Sequence, residues 1–177
     1  MTNKTLIVNL FGAPSSGKST GAAYIFSRLK MLNINAELVT EFAKDKVYEE
    51  NKSVFENQAY IFGKQYFRIS RLLNKVDVIV TDSPLLLSVF YNKSDVGREH
   101  FNNYVRSIHD SLYVHSLSYF VRRVKPYNPS GRFQTESESD KLAQDMINFL
   151  AEDNIPTVSG NEDGYKLIIS DILRELR

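Results

Sequence analysis

A glycine- and serine-rich turn near the start of the chain has the pattern of a phosphate-binding loop. Gly12-Ala-Pro-Ser-Ser-Gly-Lys-Ser19 matches G-x-x-x-x-G-K-[ST] at every fixed position. Its glycines let the backbone curl so that successive N–H groups converge on phosphate oxygens, and the dipole of a following helix favours the same anion. Lys18 would bring a mobile charge to the β- and γ-phosphates of ATP as a catalytic residue, and the Ser19 hydroxyl would be a ligand for Mg²⁺. The predicted nucleotide-binding residues are Gly12, Ala13, Pro14, Ser15, Ser16, Gly17, Lys18, Ser19 and Thr20.

Two carboxylates follow β-rich apolar runs further along the chain. Glu41 comes after the run 36–40, and Asp82 comes after the run 76–81. In open parallel sheets, ligands bind beyond the carboxyl ends of the strands. Asp82 has the position of an acid that holds Mg²⁺ directly or through water, and Glu41 could accept the proton of an acceptor hydroxyl, which makes both candidate catalytic residues. The sequence leaves open whether the two roles are exchanged, and Asp45 is a further candidate base.

The residue after Asp82 favours an alcohol over water as the acceptor of the phosphoryl group. ATPases that hydrolyse ATP to do work commonly carry a second acid at this position to orient water, whereas this chain has Ser83 followed by Pro84. We therefore expect a kinase, while a P-loop ATPase and a nucleotide switch remain alternatives.

A helical run between Ser53 and Leu73 alternates aromatic rings with amide and basic side chains. A ring such as Tyr60 could stack on a base, and an amide could read the edge of that base. Aromatic residues at helical spacing also form protein cores, so both interpretations stay open. The candidate substrate-binding residues are Glu41, Gln58, Gln65 and Arg68.

A basic, turn-rich segment follows the fourth predicted strand. It reads Arg122-Arg-Val-Lys-Pro-Tyr-Asn-Pro-Ser-Gly-Arg132. A mobile loop that brings arginines over the γ-phosphate would neutralise charge in the transition state and exclude water. We predict a lid over residues 122–136, with Arg132 as a catalytic residue and Arg123 as an ATP contact; an exposed basic loop is the alternative.

Apolar runs that alternate with helical periods predict the elements that position these residues. Strands are expected at 5–11, 36–40, 76–81, 118–122 and 156–159, and helices between and after them, including 53–73, 85–91, 98–115, 136–152 and 165–176. Ser53-x-x-Glu56 and Thr135-x-x-Glu138 have the pattern of capping boxes at helix starts. The alternation predicts an α/β fold, a P-loop three-layer sandwich whose mostly five-stranded parallel sheet is flanked by helices, in a single domain over residues 1–177.

The composition is that of an ordinary globular protein of 177 residues, with 42% hydrophobic and 24% charged residues. The net charge of +1 demands no polyanionic partner, although a local basic face stays possible. There are no cysteines, which excludes disulfides and thiolate metal sites. No signal-peptide pattern precedes the first strand, and no apolar run approaches the roughly 18 residues of a membrane span. We expect a cytoplasmic protein without membrane contact, and the sequence leaves its oligomeric state open.

Taken together, these motifs resemble those of the P-loop nucleoside and nucleotide kinases over nearly the whole chain. Val39-Thr-Glu-Phe-Ala43, Thr81-Asp-Ser-Pro84 and Gly131-Arg-Phe-Gln-Thr-Glu136 are similar to the nicotinamide-riboside-kinase branch, and more similar still to small phage-encoded ATP-binding proteins of that branch. Some of that phage group are 5-hydroxymethyldeoxyuridine DNA kinases, which phosphorylate the hydroxymethyl group of a modified base in DNA. The resemblance implies ATP binding by residues 12–19, a lid that contains Arg132, and metal or base chemistry at Asp82. It also implies an adenine border at Ser159, Gly160 and Asn161.

The expected acceptor follows from this resemblance and from scattered cations. The expected acceptor is the 5-hydroxymethyl group of uracil in phage DNA, presented as a flipped base in the host cytoplasm. A free nucleoside, a nucleotide or nicotinamide riboside is the alternative. Deoxynucleoside kinases carry an Asp-Arg pair after the third strand, and Ser83 stands here in place of that arginine. Cations that could form a basic rim for DNA are Lys44, Lys46, Arg68, Arg71, Lys93, Arg98 and Arg106.

Overall fold

The apolar runs pair side by side into one parallel sheet in the computed structural model, which describes residues 5–49, 52–130 and 134–177. The described strands are β1 (Leu6–Phe11), β2 (Ala36–Val39), β3 (Val78–Thr81), β4 (Ser116–Arg122) and β5 (Thr157–Ser159). Their order across the sheet is β2-β3-β1-β4-β5, and all four pairings are parallel. The predicted five-stranded parallel sheet is confirmed.

Helices cover both faces of this sheet. They are α1 (Lys18–Met31), α2 (Phe42–Tyr48), α3 (Gln58–Ser70), α4 (Leu87–Phe90), α5 (Arg98–Tyr113), α6 (Glu136–Phe149) and α7 (Glu162–Glu175), with short 3₁₀ turns at Lys52–Glu56 and Ala151–Asp153. Within the described ranges, no helix is both long enough and apolar enough to cross a membrane.

Strand β1 is buried along its whole length because both of its faces are covered. Successive side chains of a strand point to opposite faces, so its residues divide between two cores. Leu6, Val8 and Leu10 pack with α1 and α7, whereas Ile7 and Phe11 pack with α3, α4, α5 and α6. This division gives the three layers that the alternating pattern predicted.

The chain leaves β1 and β3 toward opposite faces of the sheet. After β1 it enters α1, which belongs to one core, and after β3 it enters α4 and α5, which belong to the other. Strands β1 and β3 are neighbours, with Asn9 opposite Thr81. Diverging connections at adjacent strands open a crevice above their carboxyl ends, which is where open α/β sheets bind ligands.

The two predicted helix caps have different outcomes. At the start of α6, the Thr135 hydroxyl accepts a hydrogen bond from the Glu138 backbone N–H, and the Glu138 carboxylate accepts one from the Thr135 N–H at 2.7 Å. The bonds that the Thr135 N–H and hydroxyl donate to the carboxylate lower the pKa of Glu138, and this capping box is confirmed. The box predicted at Ser53 is wrong, because residues 52–56 form a 3₁₀ turn and α3 begins at Gln58. The Asn57 side chain, a strong N-cap type, accepts from the Tyr60 N–H at 3.0 Å and starts the helix there.

Candidate functional site

The phosphate-loop motif connects β1 to α1 and takes a backbone shape that glycine permits. Gly12 and Gly17 have φ values of +145° and +101°, which side-chain-bearing residues rarely adopt. A Cβ atom at Gly12 would lie 2.6 Å from the Val121 carbonyl oxygen, and one at Gly17 would lie 2.6 Å from the Tyr165 hydroxyl oxygen. The motif thus has the strand–turn–helix setting that a phosphate-binding loop requires.

The side chain of Lys18 folds back onto this loop. Its Nζ donates hydrogen bonds to the carbonyl oxygens of Gly12 at 2.7 Å and Ala13 at 3.1 Å. The Ser16 N–H donates to the Ala13 carbonyl oxygen at 3.2 Å and tightens the turn. Ser19, in the first turn of α1, is exposed to solvent. The loop therefore presents its helix N-terminus, a lysine charge and a hydroxyl within one short segment.

The β5–α7 connection supports the loop from behind. A Cβ atom at Gly160 would lie 2.1 Å from the Ser16 carbonyl oxygen, so the two backbones are in close contact. Asn161 caps α7 by accepting a hydrogen bond from the Gly164 N–H at 3.1 Å. The Tyr165 hydroxyl donates to the Gly17 carbonyl oxygen at 3.0 Å. The sequence analysis missed Tyr165, since its spacing is that of any core residue of an amphipathic helix.

Glu41 and Asp82 come together at the carboxyl ends of β2 and β3. Asp82 is only 3% exposed, and its Oδ1 accepts a hydrogen bond from the Glu41 backbone N–H at 3.0 Å. Because β3 lies next to β1, Asp82 lies one strand away from the phosphate loop and Glu41 lies two strands away. The two predicted catalytic carboxylates thus share one edge of the sheet with the loop.

Gln65 lies beneath these carboxylates and connects the same two strand ends. It is 2% exposed, and its Oε1 accepts a hydrogen bond from the Phe42 N–H at 3.1 Å. Its Nε2 donates to the Thr81 hydroxyl oxygen at 3.4 Å, and that oxygen also accepts from the Ser83 N–H at 3.1 Å. Both ends of the predicted substrate-reading amide are therefore engaged with protein groups.

The other two predicted substrate residues lie on the same helix. Gln58 is buried at its start and donates to the Phe55 carbonyl oxygen at 3.0 Å. Arg68 donates to the Thr40 carbonyl oxygen at 3.0 Å and pairs with Asp45 at 3.3 Å. Substrate contacts by Gln58, Gln65 and Arg68 stay predictions.

Tyr91, at the end of α4, is a neighbour of Glu41 that the sequence analysis did not single out. Burial and, to a smaller extent, the negative charge of Glu41 raise the pKa of Tyr91 above its ordinary value. The phenol therefore stays protonated at neutral pH and keeps its O–H as a hydrogen-bond donor. No motif marks such a residue in the sequence.

The predicted lid and the helix that follows it both contact the phosphate loop. In the lid, the Asn128 N–H donates to the Ser15 hydroxyl oxygen at 3.0 Å, and on α6 the Ser139 hydroxyl donates to the Pro14 carbonyl oxygen at 2.8 Å. Arg132, the predicted catalytic arginine, lies outside the described residues, as do its two neighbours in sequence.

Arg123, the predicted ATP contact, is anchored in the same segment. It forms ion pairs with Glu136, at 3.3 Å, and with Asp140, and its guanidinium lies 5.4 Å from the centre of the Tyr127 ring. Its buried Nη1 has no hydrogen-bond partner among the described residues. Arg123 is thus held beside the loop by the two acids of α6, and ATP binding by it stays a prediction.

The donors in this crevice have the chemistry that Mg²⁺ prefers. The Ser19 hydroxyl and the Asp82 carboxylate are hard oxygen ligands, and Mg²⁺ commonly takes one or two such protein groups together with phosphates and water. In the part of the chain that is described, no cluster of three or more histidine or acidic side chains could hold a metal ion without such help. The residues fit a metal that arrives with a nucleotide.

Comparisons with known proteins agree with this fold. A family model described as AAA domain matches residues 7–165. The crystal structure of NadR protein in complex with NR superposes with a TM-score of 0.62 at 19% identity, over 97% of this chain and 49% of that one, so this chain spans about half of its length. The structure of deoxyadenosine kinase from M. mycoides with bound dATP gives a TM-score of 0.55 at 18% identity, over 97% and 99% of the two chains. No curated protein matches the sequence.

Proposed function

This chain belongs to the AAA domain family, and from that premise we propose that it is an ATP-dependent kinase with a nucleoside-like acceptor. The observation that carries this function is the hydrogen bond between the Glu41 N–H and the Asp82 carboxylate, beside the phosphate loop. A metal-assisted transfer to an alcohol uses one carboxylate for the metal and a second for the hydroxyl proton. Two solved structures that share the fold, one with bound NR and one a deoxyadenosine kinase, support the nucleoside class.

The phosphate side would be served by Lys18, Ser19 and Asp82. Lys18 would exchange its bonds to the loop carbonyls for the β- and γ-phosphates of ATP. Ser19 and Asp82 would hold Mg²⁺, which when bound neutralises the charge on those phosphates. Burial of Asp82 one strand away from the loop suits this role better than the position of Glu41.

The acceptor side would be served by Glu41, with the phenol of Tyr91 beside it. Glu41 would receive the hydroxyl proton as the acceptor oxygen bonds to the γ-phosphorus and the bond to the β–γ bridging oxygen breaks, which releases ADP. Glu41 is more exposed than Asp82, as a group that meets a second substrate must be. The protonated Tyr91 would donate a hydrogen bond on this side.

The finer proposal for the acceptor is a 5-hydroxymethyluracil base in DNA, and one surface favours it. On α3, Lys64 lies 5.5 Å from the ring centre of Tyr60, which is 42% exposed, and Phe67 is 65% exposed. Exposed rings among cations can hold an unstacked strand. The cations on α2, on α3 and directly after α3 are Lys44, Lys46, Lys64, Arg68 and Arg71. Against this acceptor, Asp45 and Glu49 pair with two of them, and the net charge of +1 suits a small free nucleoside.

The decisive experiment offers γ-labelled ATP with a panel of acceptors at low and moderate salt. The panel comprises nucleosides, nucleotides, nicotinamide riboside and hydroxymethyluracil-containing DNA. We expect ATP to be consumed only when an accepted substrate is present, and the label to appear in that substrate. ATP turnover that is the same with no acceptor would instead identify a P-loop ATPase.

Salt distinguishes the two acceptor classes. Transfer to DNA should weaken steeply as salt rises, because each phosphate contact releases counterions. Salt-insensitive transfer to a free nucleoside, with none to DNA, would eliminate the DNA acceptor and leave the small-molecule kinase.

A further inference from the structure

One buried amide joins the two strand ends that carry the carboxylates. Gln65 bonds the Phe42 N–H directly after Glu41 and the Thr81 hydroxyl directly before Asp82. A third hydrogen bond, from the Glu41 N–H to Asp82, lies between these two. Helix α3 thereby fixes the separation of β2 and β3 at the point where both carboxylates leave the sheet.

We infer that Gln65 is a positioning residue for the transfer reaction and contacts no part of the acceptor. This role rests on the proposed function, since it concerns the alignment of Glu41 with the Asp82 side of the same site. The glutamine amide makes both bonds by accepting at one end and donating at the other. Each end of the amide thus bonds a protein group, and the side chain is only 2% exposed, so Gln65 presents little surface to a base.

The position of the link decides which kinetic constant it controls. Gln65 bonds the first residue of α2 and the last residue of β3, whereas the phosphate loop is bonded by Asn128, by α6 and by α7. Loss of the amide should therefore misalign the carboxylates of Glu41 and Asp82 while leaving the phosphate loop in place. Small displacements of aligned groups reduce kcat strongly, and removal of a residue that orients a reacting group typically costs about 10–100-fold in activity.

The test compares Gln65→Met with a matched control at the opposite end of the sheet. Thr5 is also buried, and its hydroxyl also joins two elements, by donating to the Val76 carbonyl oxygen and accepting from the Asn74 N–H, both at 2.8 Å. We expect Gln65→Met to lower kcat about 10–100-fold, by the same factor for every accepted substrate, with each KM within about twofold. Thr5→Val should reduce the unfolding temperature comparably but keep kcat within about twofold of wild type.

A conservative variant adds a pH signature that packing alone would not produce. In Gln65→Glu, the protonated carboxyl group keeps the acceptor and donor pattern of the amide, whereas the ionised form places a negative charge in this buried position, next to the strand end that carries Asp82. Its kcat relative to wild type should therefore rise as the pH is lowered. A constant ratio across pH would contradict the positioning role.

Three further outcomes would overturn the inference. They are an unchanged kcat in Gln65→Met, a change confined to the KM or selectivity for one acceptor, and an equal loss of kcat in Thr5→Val. The second of these would assign Gln65 to base recognition instead.

Amide hydrogen exchange separates this inference from the proposed function. Gln65→Met should accelerate exchange at the Glu41 and Phe42 amides but not at the Ser16 amide, whether or not any acceptor is phosphorylated. If wild type transfers no label but these amides lose protection, the proposed function fails and the structural link stands. If Phe42 exchange is unaffected, the link itself is refuted.

Discussion

The phosphate side and the acceptor side of the crevice are built in different ways. On the phosphate side, one contiguous segment, residues 12–20, supplies the loop, the lysine and the hydroxyl, and glycine backbone geometry sets its shape. On the acceptor side, residues at the ends of β2 and β3 and on α2 and α3 meet through side-chain hydrogen bonds that span as many as 41 positions in sequence. The phosphate side can therefore be recognised in the sequence as a motif, whereas the acceptor side is assembled only when the sheet forms. The two sides should also respond differently to substitution.

The largest expected effect is on the phosphate side. Lys18→Ala should reduce phosphoryl transfer by about 10³-fold, because it removes a charge that stabilises the transferring group. Its two hydrogen bonds to loop carbonyls contribute about 1.5 kcal/mol each and lie at a half-buried position outside the core, so the variant should fold. Steady-state assays of phosphoryl transfer and a thermal unfolding curve of the variant would check both parts. Activity equal to wild type would refute the phosphate-loop assignment.

A somewhat smaller effect is expected on the acceptor side. Glu41→Gln should lower kcat by about 10²-fold while ATP binding is retained, because the backbone N–H that bonds Asp82 is unchanged and only the proton acceptor is lost. Steady-state assays and ATP titration would check both parts. If Glu41→Gln loses ATP binding and Asp82→Asn retains it, the two carboxylates have exchanged roles.

Two glycines allow a sharper test of how rigidly the phosphate side is held. A Cβ atom at Gly160 would lie 2.1 Å from a loop carbonyl oxygen, so Gly160→Ala should cost about 1–3 kcal/mol of stability and weaken ATP binding about tenfold. Gly63 lies in α3 with nothing within 4 Å of the added atom, and Gly63→Ala should stabilise the protein by about 0.5–1 kcal/mol. Chemical denaturation and ATP titration of both variants would show whether the two differ as expected. Equal tolerance at both positions would mean that the β5–α7 connection does not support the loop.

The smallest effect is expected at Tyr165. Tyr165→Phe removes the hydroxyl that donates to the Gly17 carbonyl oxygen and should lower stability by about 1 kcal/mol. Because the loop shape depends mainly on its glycines, ATP affinity should change by less than about threefold. A larger loss in a titration would show that this one bond, rather than backbone geometry, holds the loop.

Much of the fold could be predicted from the sequence because its signals are local. The alternating apolar runs gave the five strands, and Thr135 and Glu138 gave the start of α6. Ser53 misled because its pattern is equally local, and a stronger cap at Asn57 lies four residues later. Local patterns do not reveal which of two neighbouring cap residues starts the helix.

The candidate site was predictable to the extent that strand ends could be located. The end of each strand placed Glu41 and Asp82 at one edge, but the bond between them depends on strand order, which the sequence pattern leaves open. The sequence showed Gln65 only as a polar residue in a helical run rich in aromatic side chains. Its two partners belong to other elements, so its place in the structure could not be derived from helical spacing.

The central strand of the sheet is also the first to be synthesised. Both neighbours of β1 come much later in the chain, since Ile7 lies opposite Ile79 on one side and Ser116 on the other. On the ribosome, this strand must therefore remain without either partner until β3 is made, and it becomes fully enclosed only after β4. Contacts of such long separation form slowly and leave apolar segments open to aggregation. Nascent chains that end before residue 122 should accordingly need chaperone protection and should not yet be able to bind ATP.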